Sequence, residues 1–98
     1  MAVYVDNAQI RYGRMKMNHM LADSAAELHA MADKIGVARK WFQGMASSPH
    51  YDICNEKRAL AVAAGAQQVT RHQLAEVIRR INSNKTSWRI RKGGWYSL

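Results

Sequence analysis

The first third of the chain carries the short apolar runs and the alternation typical of strands. Residues 2–5 form a β-prone run that ends at Asp6 and Asn7, residue types common where strands end. After a polar loop around Gly13, apolar and polar residues alternate over 15–21, which places His19 on the same face as two methionines. We therefore predict two strands, with Asp6 and His19 near their ends.

Later segments carry the 3.6-residue periodicity of helices. Ser24 and Glu27 have capping-box spacing ahead of an apolar stripe that recurs at i, i+3, i+4 and i+7 until Gly36. A second helix is predicted from about 54 or 55 to 64, with Asp52 or Asn55 as its cap and Gly65 as its stop. A third helix is predicted after a second capping box, formed by Thr70 and Gln73, and its apolar stripe reaches Ile81. Residues 67–69 could add a short strand between the last two helices.

These elements predict an α+β fold in which a small sheet of two or three strands packs with three helices. Ninety-eight residues suffice for one compact core, so we expect a single α+β domain over 1–82 followed by a C-terminal extension over 83–98. The segment around 45–49 is expected to be a loop, because two serines and a proline disfavour helix there. The tripeptide at 50–52 should then lie at a loop end, just ahead of the second helix.

Charge divides the chain into two parts. The formal net charge is +8, and residues 83–98 supply +4 of it with no acidic residue at all. Such an extension could act as a basic arm toward polyanions, or simply keep the protein in solution. A single cysteine, Cys54, excludes an intramolecular disulfide. We expect neither a signal peptide nor a membrane-spanning segment, because residues 1–6 carry no basic region ahead of a long apolar run and no apolar stretch has the required length. We expect a cytoplasmic protein with no membrane partner.

Several separated segments together resemble a known family. They are Val3-Tyr4-Val5-Asp6-Asn7, Gly13-Arg14-Met15 leading to His19-Met20, Glu27-Leu28-His29, Trp41-Phe42-Gln43, His50-Tyr51-Asp52, Lys57-Arg58-Ala59 and Gly65-Ala66. The chain resembles, over about residues 2–82, an uncharacterised domain-of-unknown-function family, number four thousand and thirty-one, of short phage and bacterial proteins. The resemblance implies a phage-type accessory protein in the cytosol of a host cell, and it implies no activity. The family's second acidic position in the opening strand is Asn7 here.

Four polar residues at predicted element ends could hold a metal ion: Asp6, His19, His50 and Asp52. Imidazole and carboxylate together suit zinc, manganese or a similar divalent ion, which can polarise a phosphoryl group or activate water. Their spacing matches no standard metal signature, and each histidine alone is more often a hydrogen-bonded structural residue. His29 is interpreted as a surface or sheet-edge histidine that pairs with Asp33 one turn later.

A second candidate site is for an anion. Lys57 and Arg58 lie in the first turn of the second helix, where cations oppose the helix dipole, so a phosphate bound there with His50 as a donor could select them. Trp41 could stack on a base beside Arg39, with Asp52 nearby. The alternatives are that the two cations are solvated surface charges and that the aromatic side chain fills the core.

The C-terminal extension interleaves aromatic and cationic residues, as expected of an arm that binds nucleic acid: Trp88, Arg89, Arg91, Lys92 and Trp95. The same alternation equally favours an added edge strand or an arm that forms homo-oligomers.

The leading functional hypothesis from sequence is a small protein that binds a phosphate-bearing ligand: a nucleotide, a nucleotide signal or a nucleic-acid backbone. Two alternatives stay open, a metal-assisted phosphoesterase or nuclease and a factor that docks on a host protein. The cofactor is unspecified, although a divalent metal fits the second hypothesis.

Overall fold

The computed structural model describes residues 2–44, 46, 48–83, 88–91 and 94–97. Its elements confirm the α+β class, with three helices and a five-stranded mixed sheet in the described part of the chain. The strands of the sheet are β1 (Val3–Val5), β2 (Ile10–Tyr12), β3 (Met15–Ala22), β4 (Tyr51–Cys54) and β5 (Gln67–Gln68). The helices are α1 (Ala25–Ile35), α2 (Asn55–Ala63) and α3 (Arg71–Asn82), and a single 3₁₀ turn spans Arg39–Trp41.

The long strand β3 organises the sheet. It pairs antiparallel with β1 and β2 along one edge and with β4 along the other, and β5 extends the sheet beyond β1 in parallel. Val5 lies opposite Met20, and Ile10 lies opposite Met17. Four residues, 6–9, therefore separate β1 from β2, whereas only residues 18 and 19 lie between the paired positions of β3. The extra residues form a bulge at which Gln9 takes a positive φ of 56°. The bulge separates Asp6, at the end of β1, from the exposed strand β2.

The two faces of the sheet are covered by different helices. Residues directly opposite one another share a face, so Val5, Met20 and Tyr51 lie together, and all three are fully buried under α1 and α2. We call this the inner face. The other face carries Tyr4 and its neighbour across the strands, Leu21, and α3 lies against it, with Arg80 bonded to the Tyr4 hydroxyl. We call this the outer face, and α3 covers only part of it.

The helix boundaries follow the predicted caps. Ser24 Oγ accepts from the Glu27 amide, and Gly36 ends α1 in the left-handed region at φ 81°. Thr70 begins α3 with a complete capping box, because its hydroxyl accepts from the Gln73 amide while the Gln73 side chain accepts from the Thr70 amide. These local signals were sufficient because each is satisfied within one turn of the chain.

Two strands of the sheet differ from the sequence prediction. Residues 51–54 form β4, where a loop end was predicted, and 10–12 form β2, where a loop was predicted. Both are short, and both owe their conformation to pairing with β3 rather than to a pattern of their own. The predicted cap of α2 is also wrong: its N-cap is Cys54, which makes no side-chain capping bond.

The C-terminal extension forms a second, two-stranded antiparallel sheet. β6 (Trp88–Arg91) pairs with β7 (Gly94–Ser97), and their backbones contact α3 and α1 respectively. Lys92 lies outside the described residues, and for Trp88, Arg89, Arg91 and Trp95 only the backbone is described. Nucleic-acid binding by these residues therefore stays a prediction. In the described part of the chain, no helix has the length and apolar character that crossing a bilayer requires.

A candidate metal centre on the outer face

The pairing of three strands brings Asp6, His19 and Asp52 into one row across the sheet. His19 lies directly opposite Asp52 in the β3–β4 register, and the Asp6 amide donates to the His19 carbonyl at 3.1 Å, which continues the β1–β3 ladder. His50 precedes Asp52 by two residues and is held by a bridge to Gln43, so it lies on the same face. All four residues proposed from sequence as metal ligands thus lie on the outer face, but ligand atoms converge only from His19, His50 and Asp52, while Asp6 bonds to His19 instead.

Asp6 holds the imidazole of His19 from behind. Its Oδ2 lies 2.7 Å from His19 Nδ1, and its Oδ1 accepts from the backbone amides of His19, at 2.7 Å, and Ala8. Burial favours a raised pKa for Asp6, but the hydrogen bonds from His19 outweigh it and the pKa is lowered. Because an ionised carboxylate only accepts, Nδ1 of His19 carries the proton and Nε2 of the neutral ring presents a lone pair.

The proton affinity of His19 follows from the same contact. The hydrogen bond to Asp6 raises the pKa of His19 above its ordinary value, partial burial opposes the rise, and the charges of Asp6 and Asp52 add to it. His19 Nε2 points toward Asp52, whose Oδ1 lies 3.9 Å away. Asp6 therefore fixes both the orientation and the tautomer of the ring.

The imidazole of His50 is also oriented by a hydrogen bond at Nδ1. Its Nδ1 lies 2.9 Å from the carbonyl oxygen of Ser48, which only accepts, so Nδ1 donates and Nε2 is again free to bind. Nε2 of His50 lies 3.4 Å from the same Asp52 Oδ1, and the two imidazole rings meet edge to face with centroids 5.4 Å apart. Two lone pairs thus converge on one carboxylate oxygen.

These distances suit a shared cation better than direct contacts. A charged N–H···O bond would draw the atoms to about 2.7–2.9 Å, and both separations from Asp52 are longer. Ligand atoms of His19, His50 and Asp52 all lie within 4.8 Å of one another. Around a tetrahedral ion with bonds of about 2.1 Å, neighbouring ligands are about 3.4 Å apart, so small side-chain rotations would close the set. A carboxylate or carbonyl behind each histidine is also the usual support of metal-binding imidazoles.

The structure brings together only part of the anion site proposed from sequence, because Trp41, Asp52 and Lys57 line one groove while Arg58 and Arg39 bond elsewhere. Arg58 donates to the Asp6 carbonyl at 2.6 Å and to Gln68, whereas Lys57 reaches the other way, toward Gly36 at the end of α1. These contacts explain the two cations in the first turn of α2: one holds the end of β1 and the other lies near the negative end of the α1 dipole. Arg39 pairs with Asp33 on the surface.

Two grooves border the candidate metal centre. One, of about 470 Å³, is lined by Asp52, Cys54, Lys57 and Trp41 among others, and the second, of about 710 Å³, is lined by Asp6, His19 and Arg71 among others. We call them the Trp41 groove and the Arg71 groove. Asp52 lines the first and His19 the second, so each groove has one proposed metal ligand on its wall.

Sequence reasoning missed the buried support of β4. Asn18 is fully buried, and its side-chain amide donates to the Ile53 carbonyl and to Asn55, while its oxygen accepts from Gln9. The bonds tie β3 to β4 next to His19 and Asp52. An asparagine within an apolar strand, where this residue type is depleted, was the available signal.

The fold and this cluster define a small α+β protein with a candidate metal centre formed by two histidines and a carboxylate. Residues 3–81 match the family described as "Protein of unknown function (DUF4031)", and the chain belongs to that family. The match includes the three residues of the cluster and Asp6, and it ends before the C-terminal hairpin. No curated protein and no solved structure matched the chain.

Proposed function

We propose that the protein is a metal-dependent hydrolase of phosphate esters, in which His19, His50 and Asp52 hold the ion. The observation that carries this proposal is the convergence of two imidazole Nε2 atoms on Asp52, each ring being oriented by a hydrogen bond at Nδ1. Three protein ligands leave a coordination position open, as in catalytic rather than structural metal sites.

The ligand set indicates which ions would bind. Two nitrogens and one carboxylate suit Zn²⁺, Fe²⁺ or Mn²⁺ better than Mg²⁺ or Ca²⁺, which prefer oxygen ligands. Such an ion can polarise a phosphoryl oxygen and lower the pKa of a bound water. In this arrangement Asp6 keeps the proton on His19 Nδ1, so that Nε2 is available to the ion. Asp52 is half-exposed and faces the groove from which a substrate would approach.

Charge supports a phosphate-bearing substrate. The net charge is +8, and cationic side chains line both grooves, Lys57 in the Trp41 groove and Arg71 in the Arg71 groove. Cationic side chains near a phosphoryl group stabilise the negative charge that develops on it during its transfer. The proposal therefore combines the leading hypothesis from sequence, a phosphate-bearing ligand, with its metal-dependent alternative.

The first experiment measures metal binding. Protein stripped with EDTA is titrated with Zn²⁺, Mn²⁺ and Fe²⁺ by calorimetry, the Fe²⁺ arm without oxygen, and we expect one ion per chain in the wild type. His50→Gln should abolish that binding, whereas His72→Gln, a change of an exposed histidine in the first turn of α3, should leave it intact. The absence of any ion bound at micromolar concentration, or equal affinities in the two variants, would overturn the metal centre.

The second experiment measures turnover. Hydrolysis of bis(p-nitrophenyl) phosphate is followed with each ion, and we expect a rate that requires the ion and is lost in His50→Gln but not in His72→Gln. An ion bound without turnover of this diester, of the matching monoester or of nucleotides would reject hydrolysis and leave the metal-bound form as a binding module for phosphate-bearing ligands.

A further inference from the structure

The Trp41 groove concentrates exposed apolar side chains. Tyr12, Met15 and Trp41 are 66%, 44% and 55% exposed, and they line it together, whereas Ile10 and Leu60, the other large apolar residues exposed in the described part of the chain, lie elsewhere. Exposed aromatic side chains gathered on one concave surface are typical of a ligand site rather than of scattered surface residues. The groove therefore has apolar walls on which a flat ring could stack.

The groove also leads to the candidate metal centre. Asp52 lines it, and the same carboxylate faces His19 and His50. Lys57 places an ammonium group on the wall, and the volume of about 470 Å³ falls within the range of small-ligand sites, about 300–1,000 Å³. The groove thus combines apolar walls with one cationic side chain and a carboxylate of the candidate metal centre.

The wall that carries Trp41 is joined to the metal centre through the backbone. Trp41 ends the 3₁₀ turn, and two residues later the Gln43 amide donates to the His50 carbonyl at 2.8 Å. Lys40 lies with its ammonium 5.2 Å from the centroid of the Trp41 ring, which adds a cation beside the aromatic surface. The backbone that carries Trp41 is therefore tied to the backbone of a proposed metal ligand.

We propose that the Trp41 groove binds a nucleotide unit, with its base against Trp41 and Tyr12 and its phosphate toward Lys57 and the ion. The phosphate end of this inference rests on the proposed function, and the base end does not. A nucleotide combines the features that the groove matches: a flat aromatic ring, whose stacking on Trp or Tyr is tolerant of base identity, and an anion one sugar away. The unit could come from a free nucleotide or from a single strand.

The test measures stacking without metal. Protein in EDTA is titrated against the 5′-monophosphate of 2-aminopurine riboside, whose fluorescence is quenched on stacking, and separately against a short single strand that contains one 2-aminopurine. We expect saturable quenching that is weakened about 5- to 100-fold by Trp41→Ala and less by Tyr12→Ala. Leu60→Ala, which removes an apolar side chain of similar exposure outside the groove, should bind as the wild type does. Circular dichroism of each variant confirms that it is folded.

The two arms separate the sources of the unit. Binding of the strand at least tenfold tighter than the mononucleotide would assign the groove to single-stranded nucleic acid, and equal binding would assign it to free nucleotides. Quenching by neither probe, or equal affinities of Trp41→Ala and Leu60→Ala, would overturn the inference. The quenching assay does not depend on the metal centre, because EDTA is present and the assay is repeated with His50→Gln. If quenching is observed but hydrolysis is not, the nucleotide groove stands and only the proposed hydrolase is rejected.

Discussion

Two histidines on opposite faces of the sheet make similar hydrogen bonds at Nδ1 but lie in different chemical environments. His29 on α1 and His19 on β3 each have Nδ1 2.7 Å from a side-chain oxygen. For His29 the oxygen is the buried hydroxyl of Tyr51, and Phe42 packs edge to face on the same ring at 4.7 Å. For His19 the oxygen belongs to Asp6, and the far nitrogen faces Asp52 and a groove. The partner, rather than the distance, distinguishes the two sites.

The two environments move the histidine pKa in opposite directions. Burial lowers the pKa of His29, and Arg39 adds to the effect, so the neutral ring is favoured. The hydrogen bond to Asp6 raises the pKa of His19 despite its partial burial. A neutral imidazole among aromatic rings stabilises the fold, whereas an imidazole held by a carboxylate beside a second histidine and a second carboxylate is suited to bind a cation. The predicted pairing of His29 with Asp33 is replaced by the bond to Tyr51, and Asp33 pairs with Arg39 instead.

The largest effect that separates the two sites should be on turnover. His19→Gln removes a metal ligand and should lower the metal-dependent hydrolysis rate by more than about 100-fold, since loss of a mere supporting residue already costs about 10- to 100-fold. His29→Gln should leave the rate per folded molecule unchanged. Steady-state kinetics at saturating metal, with the folded fraction taken from circular dichroism, checks both, and comparable losses in the two variants would break the comparison.

Replacing the carboxylate of Asp6, which bonds to His19 Nδ1, should have the next largest effect, a loss of metal affinity. In Asp6→Asn the new amide can donate to Nδ1, which would force the proton onto Nε2 and remove the lone pair offered to the ion. We expect metal affinity to fall about 10- to 100-fold. Asp33→Asn, at an exposed carboxylate on α1, is the matched control and should not change the affinity. Calorimetric titration with Zn²⁺ measures both, and an Asp6→Asn affinity equal to that of the control would mean that Asp6 does not position His19.

The inner site should respond in stability instead. Tyr51→Phe keeps the ring but deprives the half-buried His29 of its hydrogen-bond partner at the edge of the core, and leaving such a group unpaired costs about 1–3 kcal/mol of unfolding free energy. Tyr12→Phe, at a tyrosine that is 66% exposed, should cost almost nothing. Urea denaturation of the two variants gives the values. Unchanged stability in Tyr51→Phe would show that the hydroxyl is dispensable, and weakened metal binding in that variant would show that the two faces are coupled.

The smallest expected effect is on the pH dependence of stability, and its sign differs between His19 and His29. Relative to the ordinary pKa of 6.5, the raised pKa of His19 contributes stability that is full below 6.5 and is lost as pH rises through the folded value. The lowered pKa of His29 contributes stability that is full above 6.5 and is lost as pH falls through the folded value. NMR titration of the imidazole resonances in EDTA, assigned with His19→Gln and His29→Gln, should place His19 above and His29 below 6.5. The reverse order would contradict the assignment of the two roles.

Local sequence signals were enough for the helices and for part of the site. The capping residues of α1 and α3, their apolar stripes and the glycine stop of α1 act within one or two turns, so each could be read from neighbouring positions. The alternation along β3 likewise placed His19 on the face of Met17, because side chains alternate along any strand. The residues of the candidate metal centre could therefore be proposed from the sequence, although the distances between their side chains could not.

Only the tertiary structure decided which of these residues meet. The conformation of 51–54 depends on pairing with β3, more than thirty residues away, and that register sets His19 opposite Asp52. The directions of Lys57 and Arg58 depend on the end of α1 and the end of β1, so their common position on α2 did not make a common site. Local hydrogen bonds and periodicity are encoded within a few residues, whereas contacts between distant segments are settled by the packing of the whole chain, and the candidate metal centre is made of such contacts.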